Sequence, residues 1–497
     1  MTVRIRIPFV QVRTGDFLTI VKKAEKSIGM IFAEKKSIGA DSITRKKTMN
    51  KIKAIDRRCF IKQSTLGLIG GGVLNQTGMS STRDSQEEAA SEMPRIKEYR
   101  TLGRTGFKVS DLGTGDFDDV GPFRALLDAG VNYIDTSETY GQHGRKIGEA
   151  LKGRDRSSLF ISSKLMADTS IRRIRTIGID KEGFIQRANK VIEALQVDYL
   201  DCLMLSCPET VEMLKTPGFH EATEQLKKEG KIRYVGVSHH GSQWWMKKPE
   251  EPMEKVLLAA AEDGRFDVML LAYNFLKEDQ SERVLEVCGQ KNIGITLMKT
   301  NPIRSYNNMK DWLERSRHSK GKELSEEEKE SVLRMEKKVE DAQKFIKKYN
   351  LKSEKEIGDA AIKFVLSNQN VHTVCVTVLN YEDTRTFLRL SGSRLEPKDK
   401  ELLSAYSKEC GSLYCRHACG LCEPHCPHEV PVNTIMRYDH YFVSQGREKL
   451  AMTKYAALRS SRADKCQNCA GYCESACPYG VPVQALLAAA HQTLTLI

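Results

Sequence analysis

Nowhere does the chain contain a run of about 18 consecutive apolar residues, which excludes an ordinary transmembrane helix. It also lacks a basic excess in its main body. Residues 1–90 carry 17 Lys and Arg against 8 Asp and Glu, so most of the formal charge of +13 belongs to an N-terminal leader. The remainder is close to balance and has no electrostatic footprint for nucleic acid. No Ala-x-Ala cleavage site follows Leu74. What is present is 497 residues, 40% hydrophobic and 29% charged, enough for one barrel-sized domain and a smaller one.

Two cysteine runs dominate the C-terminal part. The first is Cys415-x3-Cys419-x2-Cys422-x3-Cys426-Pro427, and the second is Cys466-x2-Cys469-x3-Cys473-x3-Cys477-Pro478. Four thiolates at short spacing closed by Cys-Pro are the way a loop wraps an iron–sulfur cluster. The exits repeat too: Val430-Pro431-Val432 against Val481-Pro482-Val483. The other reading is structural zinc or disulfides, but zinc usually takes two separated pairs of ligands. The duplicated run resembles the bacterial two-cluster ferredoxin module, with one extra residue in each run. That resemblance implies two 4Fe–4S clusters with the Cys before Pro exchanged between them. One would use Cys415, Cys419, Cys422 and Cys477, and the other Cys466, Cys469, Cys473 and Cys426. Cys410 is near enough in sequence to replace Cys415. His417, His425 and His428 crowd the first run and are expected to be exposed loop residues.

In the leader, Asp56-Arg57-Arg58-Cys59-Phe60-Ile61-Lys62 precedes the mildly apolar Leu66–Leu74, a pattern similar to a twin-arginine export signal. That pathway carries folded proteins, which a cluster protein built in the cytoplasm requires. The expectation is a periplasmic protein with the twin-arginine translocase as partner and, at most, a signal-peptide membrane anchor. The other reading is an Arg pair in a basic tail. Residues 1–48 read as a basic extension with a misassigned start, 49–80 as the signal and 81–97 as a linker.

From 98 to 395, short apolar runs alternate with amphipathic stretches. Strands are predicted at 109–113, 132–136, 159–163, 199–205, 232–237, 268–273, 293–298 and 371–376. Helical periods at 183–195, 221–228 and 284–290 lie between them. Eight such repeats predict an α/β fold, a (β/α)8 TIM barrel, followed after a linker at 396–409 by a small helical and loop domain at 410–497. The charged stretch 301–350 reads as a helical insert with a solvated face, capped by Ser325 and Glu328, with a lid or docking site as the alternative.

Several segments place the chemistry: Arg100-Thr101-Leu102-Gly103-Arg104-Thr105-Gly106, Gly130-Val131-Asn132-Tyr133-Ile134-Asp135-Thr136-Ser137-Glu138-Thr139-Tyr140, Gly230–Ser238 and Tyr273-Asn274. They resemble the aldo/keto reductases, over roughly 98–392. The resemblance implies a catalytic group of Asp135, Tyr140 and Lys164 at the barrel mouth. Tyr140 would give a proton to a carbonyl oxygen, and Lys164, held by Asp135, would stabilise phenolate.

Departures from the pattern are as informative. Ser206 stands where the family has His, and a hydroxyl has no accessible charged state. His239 follows Ser238 in place of Asn, and Leu270 takes the place of a Gln that holds nicotinamide. The turn Thr377–Asn380 has lost its Gly. Ser238, His239 and Lys299 remain as candidate cofactor contacts, so NADP stays open. Cys207 reads as a reactive thiol or a buried small residue. The sequence therefore predicts an exported oxidoreductase acting on a small carbonyl or alcohol, passing electrons through its clusters to a redox partner protein. Its alternative is a non-catalytic barrel carrying an electron-transfer module.

Overall fold

A computed structural model of the chain describes residues 93–167, 179–239, 251–278, 281–303, 326–351, 354–417, 419–459 and 462–495. The leader and its expected export signal, and Ser325 of the expected cap, lie outside them. Described residues from 93 onward belong to one compact unit spanning 89–497.

The unit opens on a hairpin. Strand β1 (Tyr99–Thr101) pairs antiparallel with β2 (Lys108–Ser110), joined through Leu102 and Gly103. Leu102 and Val109 are fully buried and join the side chains inside the barrel. Gly103 has φ +47°, and a Cβ there would lie 2.3 Å from the Gly294 amide nitrogen, so only Gly fits this close approach. The predicted first strand at 109–113 is thus two elements, because Asp111 breaks the run and sends Val109 into the hairpin.

Eight strands then close the barrel: β3 (Leu112–Phe117), β4 (Tyr133–Asp135), β5 (Phe160–Met166), β6 (Leu200–Ser206), β7 (Ile232–His239), β8 (Val268–Ala272), β9 (Gly294–Met298) and β10 (Thr373–Val378). Every neighbouring pair is parallel, with β10 returning to β3. The predicted (β/α)8 fold is present. Several strands run further toward the mouth than predicted: β5 continues past Lys164 to Met166, which places Lys164 inside its strand. Tyr133, Phe160, Cys202, Met204, Val268 and Leu270 fill the interior, so the barrel is a packed core and not a pore. A second apolar shell lies between strands and helices, with Phe184, Phe219 and Leu226 among its buried members.

The charged stretch resolves into a helix at Glu326–Lys348. Its outer side is solvated, with Lys344 74% exposed, but Ala342 and Phe345 are buried. Phe345 meets Tyr406 edge-on at 5.7 Å, and Lys348 pairs with Glu409 at 2.7 Å. The solvated-face reading therefore holds for one side only, and the other side anchors the helix Pro397–Cys410. That helix begins with a capping box between Glu396 and Asp399, and Asp399 also binds Lys363 of the helix Lys355–Leu366 at 3.0 Å.

Residues beyond Cys410 form short turns and the helices Val432–Val443, Glu448–Ala456 and Val483–Leu494. Two of these helices repeat one construction. Each follows a Val-Pro-Val exit, and both flanking valines of each exit are buried. The Asn433 amide donates to Glu423 Oε1 at 2.9 Å, and the Gln484 amide donates to Glu474 Oε2 at 3.2 Å. Asn433 Nδ2 donates to Arg416 O at 2.7 Å, and Gln484 Nε2 to Cys466 O at 2.6 Å. The sequence repeat is thus a repeat of hydrogen bonds. Phe275 and Leu276 of the barrel join the same apolar core as Leu413, Ile435 and Leu486, so the two parts share a packed boundary. Among the described residues, no helix is long and apolar enough to cross a membrane.

Candidate active site and cysteine groups

Strand order and register build the mouth. Ser206 of β6 faces Ser238 of β7, which faces Leu270 of β8, so these three share one layer. Lys164 of β5 faces Met204 one layer deeper. From there its ammonium group donates to Asp135 Oδ1 at 2.7 Å, Asp135 Oδ2 at 2.5 Å and Thr136 O at 2.7 Å. An ammonium has three protons, and these bonds engage all of them. Lys164 therefore acts on Tyr140 by charge: its nitrogen lies 5.4 Å from the ring centroid. Burial raises the Asp135 pKa, and the Lys164 charge opposes that rise.

Tyr140 borders the cavity and is 38% exposed, yet crowding pushes its pKa well up, with the Asp135 and Asp116 carboxylates adding to the rise. Each of these causes disfavours phenolate. The group is a phenol at ordinary pH. Its loop is locked from behind. Arg187 binds Glu138 bidentately, at 2.9 and 2.5 Å, and Glu138 Oε1 accepts from the Met166 amide at 2.7 Å. Neither Glu138 nor Arg187 was singled out by sequence reading. A Glu two residues before Tyr140 was a usable signal, but its partner lies 49 residues on.

His143 was missed as well. It lies beneath Tyr140, with ring centroids 5.6 Å apart, and its Nδ1 is 2.9 Å from Thr136 Oγ1. Burial lowers its pKa to about 4. His239 and His372 are also depressed to about 4, mainly by burial. The unfolded chain binds protons at these sites near pH 6.5, whereas the folded chain does so only near 4. Stability is therefore expected to fall as pH drops from 6.5 to 4, by up to about 3 kcal/mol for each histidine. Urea melts from pH 7.5 to 4.5 check this, and a flat midpoint across that window would contradict it. His239→Gln should make the slope shallower.

The remaining candidates are distributed as follows. Ser238 Oγ donates to Ser206 Oγ at 3.2 Å, so Ser206 belongs to a small hydroxyl pair. Lys299, with φ +57°, is half-buried, and burial followed by the Arg437 charge brings its pKa to about 7. Cys207 is buried and its thiol pKa is raised by burial, which fits the small buried residue and not the reactive thiol. The turn after β10 is closed to phosphate. Asn380 Oδ1 accepts from the Asp383 amide at 2.9 Å, and Asp383 Oδ2 accepts from the Leu379 amide at 3.0 Å. Glu382 and Asp383 add negative charge in the first helical turn. Capped amides and two carboxylates do not fit a dinucleotide phosphate there.

Over the mouth lies a cavity of about 960 Å³ bounded by both parts of the chain. Asp135, Tyr140, His143 and Lys299 line it from the barrel, and His417, His440 and Tyr441 line it from the C-terminal part. Arg447 fastens the two by ion pairs to Asp116 Oδ2 at 2.7 Å and Asp118 Oδ1 at 3.3 Å.

The cysteines fall into two groups. Cys415, Cys419, Cys422 and Cys477 line one crevice. Burial raises the Cys415 thiol pKa first, and Cys422, Cys419 and Cys477 raise it further. Around Cys466 the neighbours acting in the same sense, after burial, are Cys473, Cys426 and Cys469. The last cysteine of each run thus sits with the other run. Cys410 ends its helix and is buried in the shared core. Among the described residues, no three His, Cys, Asp or Glu side chains converge to hold a single metal ion. His425 and His428 are exposed as expected, but His417 is buried, because Tyr414 hydrogen-bonds its ring and Lys277 binds its carbonyl oxygen.

Parts of the chain are similar to known proteins. The L-galactose dehydrogenase of Arabidopsis thaliana is 30% identical over 166 residues, covering 28% of this chain and 48% of its own length. Aldo-keto reductase YhdN of Bacillus subtilis is 25% identical over 159 residues, covering 29% and 47%. The chain spans about half the length of these curated relatives. Among solved structures, aldo-keto reductase AKR11C1 from Bacillus halodurans is 19% identical, with TM-score 0.42 over 63% of this chain and 96% of that one. The aldo/keto reductase family model matches residues 119–406, more than half of the sequence, and the chain belongs to the aldo/keto reductase family.

Proposed function

We propose that the protein is an exported iron–sulfur oxidoreductase that interconverts a small alcohol and its carbonyl. The observation that carries the chemistry is the buried Lys164–Asp135 pair beneath Tyr140 in a cavity large enough for a small molecule. Tyr140 gives its proton to the carbonyl oxygen, and the Lys164 charge stabilises the phenolate left behind. Asp135 holds Lys164 in place through two hydrogen bonds. The Ser206–Ser238 pair orients the same oxygen without supplying a charged donor.

The family typically uses NADP(H). Here the turn after β10 offers no open phosphate cradle, which favours a different electron route. Cys415, Cys419, Cys422 and Cys477 would hold one 4Fe–4S centre, and Cys466, Cys469, Cys473 and Cys426 the other. Two such centres would carry one electron each, matching the two electrons that separate an alcohol from its carbonyl; reduction by this route also takes two protons, one from Tyr140 to oxygen and one from solvent entering the cavity to carbon. Electrons would enter or leave through a redox partner protein. The twin-arginine pattern supports delivery to the periplasm as a folded, loaded protein.

Ser206 and the acidic turn also favour a second reading, a barrel without catalysis that presents the cysteine domain to a larger complex. The test begins with full-length protein purified anaerobically from the periplasmic fraction. About eight irons and matching sulfide per chain, without acid-released nucleotide, are expected. Bound NADP would restore a nicotinamide enzyme, and zinc in place of iron would remove the electron route. Recovery only from the cytoplasm would overturn export.

A further inference from the structure

The segment after β8 runs from the barrel mouth to the first cysteine loop. Asn274 Nδ2 donates to the carbonyl oxygen of Lys299, a cavity residue, at 2.9 Å. Asn274 Oδ1 accepts from the Leu276 amide at 3.0 Å, and Asn274 O accepts from the Lys277 amide at 2.9 Å. Lys277 is only 3% exposed, and its ammonium donates to His417 O at 2.8 Å. His417 lies midway between Cys415 and Cys419 in sequence and lines the same cavity as Tyr140. Phe275 meets Tyr406 at 6.0 Å, and Leu276 lies against Gly411, so the segment is packed as well as bonded. The hydrogen bonds of Gln484 beside the second group stay inside the C-terminal part.

We propose that Lys277 is a positioning residue that makes the Cys415, Cys419, Cys422 and Cys477 group the inner one, facing the substrate cavity, and sets its electron affinity. This deepens the iron–sulfur reading above and rests on it. The physical argument is charge placement. Lys277 is buried, where charge is weakly screened, and its field reaches Cys419 of this group. Extra negative charge on that group is stabilised, and the group is easier to reduce. The second group, farther along the chain, does not share this tie and should not share the effect. An inner acceptor with higher electron affinity biases electrons toward the barrel, whereas the outer group remains available to a partner protein.

The test is a redox titration of the loaded, full-length protein followed by low-temperature paramagnetic resonance. In Lys277→Met, one of the two centres should become at least tenfold harder to reduce at a fixed potential, about 59 mV for one electron. The other centre should stay in place. Lys277→Gln keeps a donor for His417 O while removing the charge, and the same shift is expected. Lys277→Arg should return the centre most of the way. Two centres that titrate in the variants as in the wild type, or that move together, would overturn the inference while leaving the iron–sulfur reading intact. A wild-type protein with no cluster signal would overturn both.

Discussion

Tyr140→Phe is expected to lower turnover of a carbonyl or alcohol substrate by about 10²- to 10⁴-fold, the range for losing a positioned proton donor. The phenol lines the cavity near the Lys164–Asp135 pair, and the proposed chemistry assigns it the substrate oxygen. Phenylalanine keeps the ring that meets His143 and removes only the hydroxyl, so folding should be unaffected. A substrate bound through the rest of the cavity should keep its KM while kcat falls, because the lost interaction is made in the transition state. Steady-state kinetics with any substrate turned over by the wild-type protein give the answer. Turnover within tenfold of wild type would place the chemistry elsewhere and support the non-catalytic barrel.

The barrel was legible because each strand is a short apolar run followed by a helix with its own stop. Local rules of that kind need no knowledge of partners. The first strand was misplaced because Asp111 sits between two apolar runs, and the pattern does not tell a hairpin strand from a barrel strand. Asp135, Tyr140 and Lys164 came from the resemblance to the aldo/keto reductases, and the structure brings them together. His143, Glu138 and Arg187 were not found, because what makes them matter is burial and pairing across the fold, which a linear pattern does not record. The same holds for Lys277 and Arg447: each is one Lys or Arg among 78 until the C-terminal part folds over the mouth. The cysteine runs were readable because the spacing within each run is local. The exchange of Cys426 and Cys477 was implied by the resemblance to the two-cluster ferredoxin module.

Lys164→Met should destabilise the protein by about 3–5 kcal/mol at neutral pH, the cost of leaving one member of a buried pair without its partner. Both side chains are nearly inaccessible, 6% for Lys164 and 5% for Asp135. Burial already raises the Asp135 pKa, and removing the opposing Lys164 charge must raise it further. That fixes the sign of the pH dependence. In the variant, folded Asp135 holds its proton to a higher pH than unfolded Asp135, whose ordinary value is near 3.9. Where both states are protonated the charge penalty vanishes, and it grows as pH rises above the unfolded value until the folded carboxyl also ionises. Urea melts should therefore show a small deficit near pH 4 and the full deficit at pH 7, against the opposite background slope of the buried histidines. A second variant separates stability from chemistry. Adding Asp135→Leu to Lys164→Met removes the stranded carboxylate, and a buried pair replaced by apolar groups is commonly neutral or stabilising. The double variant should regain most of the lost stability and none of the lost turnover, because Tyr140 would have no positive charge to hold its phenolate. If the double variant recovers turnover together with stability, the pair is a structural strut and the proton chemistry proposed for it is wrong.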